Sequence, residues 1–492
     1  MLSCVALMSL TMLPLLGGCT GDVVDMDGLE HKAMLERDRA EIAQYEGQTI
    51  RITLDQALKR AVEKNLDARV AELDLMVQDG NVTLKQLEAL PQLKSSRTLN
   101  SRSDLGASSS RSVQSGLQSL EPSQSTDRRR MTTSLQASWN LLDAGLALSE
   151  TYRMQDETGI VEERYNKVIQ NIERDVYAAY WRAWESEKTA QTTNQMIASG
   201  ERQLSNLEKA SDGKLLGAEE TGDKSLELED RMRSLQELDN NLASAEIELK
   251  VLLSYPQSAN LELVAPSSER AKIQNLLTGN IIDQEWSALK SRPELREEVY
   301  QKNIAVKNAR HELFKTLPGV EPLVAYNTDT NSFLQDKQWS TFSLSITQNI
   351  LNLLTLPMRY EAAKQKELQA DARRQALAAA LVAQVHLARQ RLEQDRSLCS
   401  KASNAAALSQ KRARAKQYKS KTGVASGGEA LVARMDAQIS MLRKSMSCAQ
   451  MQDSYAAMVN SLGLHLYQGE LPIEKFKAEQ EAKKKKMEAV NG

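Results

Sequence analysis

The apolar positions of this chain change period several times, and then repeat the whole pattern. Leu58, Val62, Leu66, Val70, Leu73, Val77, Leu84 and Leu87 recur at mostly three- and four-residue steps, which predicts a helix opening at Thr53. Thr53 can cap that helix, with Gln56 three residues on as in a capping box. Leu90–Pro91 ends it. Beyond the Pro, Leu135, Ala137, Trp139 and Leu141 alternate with Gln136, Ser138 and Asn140, the mark of a strand with one apolar face. Ile169, Ile172, Val176, Ala179 and Ala183 then return to the helical step. No Pro interrupts residues 144–210, which gives roughly 100 Å of helix at 1.5 Å per residue. A returning helix carries Leu228, Met232, Leu235, Leu242, Ala245, Leu249 and Leu252, spaced as a coiled-coil seam.

The second half follows the same plan. Asp67-Ala-Arg69 matches Glu294-Leu-Arg296, and Leu90–Pro91 matches Leu317–Pro318, at an offset of about 227 residues. Trp139–Leu142 then aligns with Gln348–Leu351, and Leu252–Leu253 with Ser461–Leu462, at an offset of about 209. Phe342, Leu344, Ile346 and Ile350 read as a strand, and Val320, Val324 and Tyr326 do so more loosely. The long second helix shows Leu377, Leu381, Val385, Ala388 and Leu392, and the one after it Leu431, Met435, Leu442, Met446 and Ala449. The expected class is mainly α with a small β part, built from a duplicated helix–strand–strand–helix–helix unit. The expected divisions are a signal peptide at 1–18, a tether at 19–50 with a short helix near Met34–Ala43, and a first repeat at 51–254. A connector at 255–283, a second repeat at 284–467 and a charged tail at 468–492 complete them. In the first strand Leu93, Ser95, Arg97, Leu99 and Ser101 share a face, and that face is expected to point outward.

Composition narrows the function. Aromatic residues make up only 4% of the 492 residues and there are 10 Pro, as suits long helices packed through narrow seams. A net charge of −2 gives no reason to expect a nucleic-acid partner. The Lys483–Lys486 run reads as a solvated tail. His31, His311, His386 and His465 are scattered, and His311–Glu312 lacks the second His of a zinc-protease motif. With no nucleophile motif or phosphate-binding glycine loop either, neither catalytic nor metal-ligating residues are expected.

The apolar run 2–18 ends in Leu16-Gly-Gly-Cys19. It is too short for a mature span and fits a secretory signal. Its ending resembles a bacterial lipobox, which makes Cys19 the expected lipid-bearing residue; an ordinary signal peptide with an incidental Cys is the alternative. No Lys or Arg precedes Cys19, which leaves open a start upstream of Met1. Thr20 follows, not the Asp that retains enterobacterial lipoproteins at the inner membrane.

Leu54-Asp-Gln-Ala-Leu58 with Asn65, Ala89-Leu-Pro-Gln-Leu93, Trp139-Asn-Leu-Leu-Asp-Ala-Gly145 and Ser461-Leu-Gly463 together resemble the TolC-like outer-membrane efflux proteins, over about residues 50–467. The lipobox resembles that family's lipidated branch, which works with resistance-nodulation-division pumps. The resemblance implies a homotrimer, with four strands per chain in a twelve-stranded transmembrane barrel above a periplasmic α-helical barrel. It implies a periplasmic adaptor and an inner-membrane pump as partners, outer-membrane lipid around the barrel, and no cofactor beyond the lipid on Cys19. The turns 212–223 and 419–428 would meet the adaptor and close the tunnel, through Asp212, Gly213, Gly217, Asp223, Lys419, Gly423 and Gly427. The function implied is an exit duct for small molecules and not an enzyme. Type I protein secretion and a lipid-anchored periplasmic coiled-coil scaffold are the alternatives. Trp139, Trp339 and Tyr326 are the candidates for an aromatic girdle, and Arg97 on a lipid-facing strand would cost about 2–4 kcal/mol at the midplane.

Cys399 and Cys448 each lie about 24 residues from the turn at Gly423–Val424, so an antiparallel hairpin puts them at one height. They form a disulfide if both point into the seam; otherwise they are two small buried thiols.

Replacement of the lipid-bearing residue, Cys19→Ser, is expected to abolish acylation. Metabolic labelling with palmitate checks this, and label persisting on the variant would refute it.

Overall fold

The computed structural model describes residues 29–119, 121–212, 217–267, 270–475, 477, 478 and 482. Cys19, Gly213 and Lys483–Lys486 lie outside them. The chain runs α1 Leu29–Ala43, β1 Thr49–Ile52, α2 Leu54–Lys64, α3 Leu66–Leu87, β2 Gln92–Ser101, β3 Ala107–Ser108, β4 Ser123–Gln124 and β5 Arg129–Ser138. The helices α4 Leu141–Asp212 and α5 Ala218–Leu252 follow, then β6 Asn260–Leu263, α6 Arg270–Thr278, α7 Ile281–Ser291 and α8 Pro293–Phe314. It closes with β7 Gly319–Asp329, β8 Gln338–Thr347, α9 Ile350–Lys421 and α10 Gly427–Ser461.

The two offsets carry through to the element boundaries. The helices α4 and α9 each have 72 residues, or about 110 Å, and α5 and α10 each have 35. The pairs α2/α7 and α3/α8 have 11 and 22 residues. Caps recur as well. Asn140 Oδ1 accepts from the backbone N–H groups of Leu142 and Asp143, and Asn349 Oδ1 from that of Leu351. Thr53 and Gln56 form the reciprocal capping box at α2.

The first helix departs from the sequence expectation, because Asn65 breaks it into α2 and α3. Asn65 Oδ1 accepts from Asp67 N and Ala68 N, while its Nδ2 donates to Leu252 O at the end of α5. One side chain therefore caps α3 and joins it end to end with α5. The second repeat has Arg292 at the matching position, between α7 and α8. Its buried guanidinium donates to Asn460 O at the end of α10, and to Glu294 and Gln384. Burial pulls its pKa down against the pull of Glu294.

These joints let a helical layer run the length of the molecule. Near the sheet its order is α3, α4, α8, α9; towards the far end α4 pairs with α5 and α9 with α10, and α10 packs against both α4 and α5. Leu228, Leu235, Leu242 and Leu249 of α5, every seventh residue, are buried. Leu228, Leu235 and Leu242 meet Met196 and Leu207 of α4 and Met435, Ile439 and Leu442 of α10. The larger core lies at the joints, around Tyr165, Ile169, Val176 and Tyr180 of α4, Leu392 of α9 and Met458 of α10. The short parallel pair β1–β6 flanks it, and Tyr180 Oη donates to Val264 O at 2.6 Å.

Two further expectations are corrected. The strands stop at Ser138 and Thr347, since Asn140 and Asn349 already cap helices; Leu141 and Ile350 are helical. The tail expected from 468 begins as a docked segment, in which Leu471 and Ile473 are buried in the joint core. On α3 the apolar stripe Leu66, Val70, Val77, Leu84 is exposed, and Ala68, Leu75 and Val82 face the neighbouring helix.

Both joints end in a residue at positive φ, Ser254 at 52° and Gly463 at 71°. A Cβ on Gly463 would lie 2.6 Å from the backbone carbon of Ser291. Gly463→Ala is expected to destabilise by at least about 2 kcal/mol, and Ser254→Gly to stabilise by up to about 1 kcal/mol. Thermal unfolding of the two variants beside the parent checks both signs.

Candidate functional site: the sheet and the helical tips

The main sheet is antiparallel, in the order β2–β5–β7–β8. Its register fixes the faces. Leu93, Ala137, Val324 and Phe342 lie in one row, and Ser95, Leu135, Tyr326 and Ser340 in the next. Pro322 with Leu344 and Val320 with Ile346 extend the same face towards the helices. This face is bare: Leu93 and Phe342 are each 73% exposed and Ile346 69%. The other face carries Lys94, Ser96, Thr98, Thr132, Ser134, Gln136, Glu321, Asn327 and Asp329. Trp339 pairs with Asn327 and so sits on this polar face, not with Tyr326 on the apolar one. Arg97 does share the apolar face with Leu93 and Leu99, in a row with Thr133, Thr328 and Gln338.

Among the described residues, the outer edges of β2 and β8 pair with nothing, so one chain forms an open four-stranded sheet and not a closed barrel. Four strands are too few to close on themselves. At the loop end the two hairpins are latched. Ser332 donates from its N–H and its hydroxyl to Asp127, and Asn331 Nδ2 donates to Ser125 O. Those bonds from Ser332 hold the Asp127 carboxyl below its usual range.

At the opposite end lie the helical turns. Asp212 closes α4, and Gly217 is the N-cap residue of α5. Asp223 is not in the turn but inside α5, exposed. Lys419 is in the last turn of α9; Val424 N donates back to its carbonyl around Gly423, whose φ is 75°. Gly427 opens α10 behind Ser426, which caps Glu429 N. Lys416 pairs with Glu429 at 2.6 Å and holds that carboxyl low. Farther along, Cys399 of α9 and Cys448 of α10 form a disulfide, with Cα atoms 4.7 Å apart. The matching positions in the first repeat are Ala190 and Asp239, so only one hairpin carries this bond.

A cleft of about 1050 Å³ opens under the sheet between α3, α4 and α8, lined by Glu150, Arg153, His311, Glu312 and Lys315 among others. Several of its charges are paired. Arg153 binds Glu150 and Glu157, and Glu312 takes Lys315 and Arg359. The bond from Arg153 keeps Glu150 low, and burial lowers His311. Among the described residues no three His, Cys, Asp or Glu side chains converge as a metal site requires, and no helix is long and apolar enough to cross a membrane.

No protein-family model matches the sequence, and no curated protein matches it either. Solved structures do match the fold. A membrane protein from Pseudomonas aeruginosa superposes with a TM-score of 0.65 at 14% identity, over 85% of this chain and 91% of that one. The Neisseria gonorrhoeae MtrE outer membrane channel in its open state gives 0.62 at 15%, over 85% and 91%. The Campylobacter jejuni CmeC outer membrane channel gives 0.64 at 11%, over 86% and 88%. The fold is therefore that of outer-membrane channels, mostly helical with a small sheet.

The disulfide closes a long loop, for which loss of the cross-link costs about 2–4 kcal/mol. Cys399→Ser/Cys448→Ser is expected to speed hydrogen exchange in α9 and α10 around the bond while leaving α4 and α5 unchanged. Uniform exchange in parent and variant would contradict it.

Proposed function

We propose that the chain is an outer-membrane exit duct, the outer component of a tripartite efflux system for small molecules, with no chemistry of its own. The observation that carries this is the sheet: strands of 10 or 11 residues, one face apolar and bare, both edges open, at one end of a helical layer about 110 Å long. Strands of about 9–11 residues are what a bilayer core requires. Strand edges cannot stand open in lipid, so the sheet needs other copies to close it. Three copies give the twelve-stranded barrel, with Lys94, Gln136 and Asn327 facing its lumen. The exposed Leu66, Val70, Val77 and Leu84 stripe on α3 belongs to the same assembly, since a bare apolar stripe on a rod this long needs a lateral neighbour. The likeness to two structures described as outer membrane channels supports the reading.

The helical tips would then stand in the periplasm, where Asp212, Gly217, Asp223, Lys419, Gly423 and Gly427 are placed to meet an adaptor bound to an inner-membrane pump. Cys19 would tether the chain to the same membrane through its lipid.

Purified protein added to planar bilayers is expected to form conducting channels and to run as a trimer in light scattering. A trimer without conductance would favour a scaffold on the membrane surface.

A further inference from the structure

The apolar face of the sheet carries charge of one sign only. Its residues on β2, β5, β7 and β8 include Arg97 and Arg129 but no Asp or Glu. The acids of these strands, Glu321 and Asp329, are on the other face, where Arg130 takes Asp329 at 3.6 Å. The acid just beyond β5, Asp127, is held by Ser332. Both outward arginines are exposed, and neither has a carboxylate partner among the described residues. The Arg97 guanidinium donates from Nε to Met131 Sδ at 2.9 Å.

Their height is as informative as their sign. Below Arg97 the rows on this face are led by Leu135 and Tyr326, then Val324 and Phe342, Pro322 and Leu344, and Val320 and Ile346. From Val320 to the Arg97 row is about 27 Å along the strand, or about 21 Å of height at a barrel tilt of roughly 40°, so a guanidinium reaching up from that row meets the upper border of the roughly 25 Å apolar band of a membrane barrel. Arg129 lies one further row beyond Leu99 and Met131, towards the loops. An arginine at that border costs little, where at mid-depth it would cost several kcal/mol. A guanidinium there faces headgroups, and it is the side chain best shaped to grip a phosphate with two parallel hydrogen bonds.

We propose that Arg97 and Arg129 form a binding site on the outer rim of the sheet for the phosphate groups of an anionic membrane lipid. The proposal rests on the membrane reading of the sheet given above. In the closed assembly the pair recurs once per copy, so the rim bears two tiers of cations, the Arg129 tier about 13 Å farther along the strands than the Arg97 tier, across the headgroup region. The tiers would fix the depth of the sheet in the bilayer, and Tyr326, on the same face and bonded to Gln338, would sit just beneath them.

The test uses full-length protein in neutral detergent, with lipid A and dephosphorylated lipid A as probes, and lipid retention read by native mass spectrometry. The parent is expected to retain the phosphorylated lipid and not the dephosphorylated one. Arg97→Gln/Arg129→Gln is expected to weaken retention roughly twenty-five-fold, at about fivefold per arginine from the usual strength of a basic residue at an anionic surface. Arg97→Lys/Arg129→Lys should restore most of it, and Arg51→Gln, a control outside the sheet, should change nothing. Equal retention of both lipids, or a Gln variant that binds as the parent does, overturns the proposal. Channel conductance of the Gln variant is measured beside it. Lost lipid selectivity with conductance intact in the Gln variant upholds the site and the duct together. A parent that shows no conductance and no selectivity removes both.

Discussion

A rod of helices this slender has little interior to spare, and the rest of the structure depends on that constraint. Each helix can bury only the seams it shares with its neighbours, and the two outermost helices keep a bare side. The layer also has to stay four helices wide over about 110 Å, although its short members cannot reach that far. Asn65 and Arg292 answer this by joining short helices end to end across the core. Without these joints, α3 over α5 and α8 over α10 would leave helix ends with unpaired backbone groups in the most buried region of the chain.

Local chemistry was legible in the sequence wherever it was self-contained. The Thr53–Gln56 box needs only its own residues, and so do the strand alternation and the repeat register. The height match of Cys399 and Cys448 needs only helical rise and a turn, whereas the seam-facing orientation that joins them is a tertiary fact. The break at Asn65 was hidden because Leu58, Val62, Leu66 and Val70 keep a perfect four-residue step through it. Only the contact with Leu252 O, far away in sequence, makes that Asn a joint. Periodicity also marked the apolar stripe of α3 without saying what covers it: a seam within the chain and a seam between chains leave the same pattern. Leu471 and Ile473 stand alone among charged residues, too sparse to signal a docked segment. For Arg97 the alternation gave the face, but its height came only from the pairing register.

The two repeats share a plan and differ in what they place at matched positions. Ser254 bears a left-handed backbone where Gly463 bears it freely, and the close approach of Ser291 explains why the second site has no room for a side chain. Asn65 is replaced by a buried cation at Arg292, which brings Glu294, Gln384 and Asn460 into one network. Ala190 and Asp239 stand where the other hairpin carries its covalent bond. The duplicated scaffold thus has one hairpin with a covalent cross-link and one without, whose helices share packing and the Arg182–Glu248 ion pair.

The open edges of β2 and β8 have a kinetic meaning as well. A solitary copy would expose two unpaired strand edges and a wide apolar face at the same time, the combination most prone to indiscriminate pairing. In the proposed assembly, completing the sheet and meeting other copies are a single event, not successive ones. The yield of mature protein would rise more steeply than in proportion to supply, and dilution would favour misassembly over a stable monomer. A cell making too little of this chain would get disproportionately less of the working form.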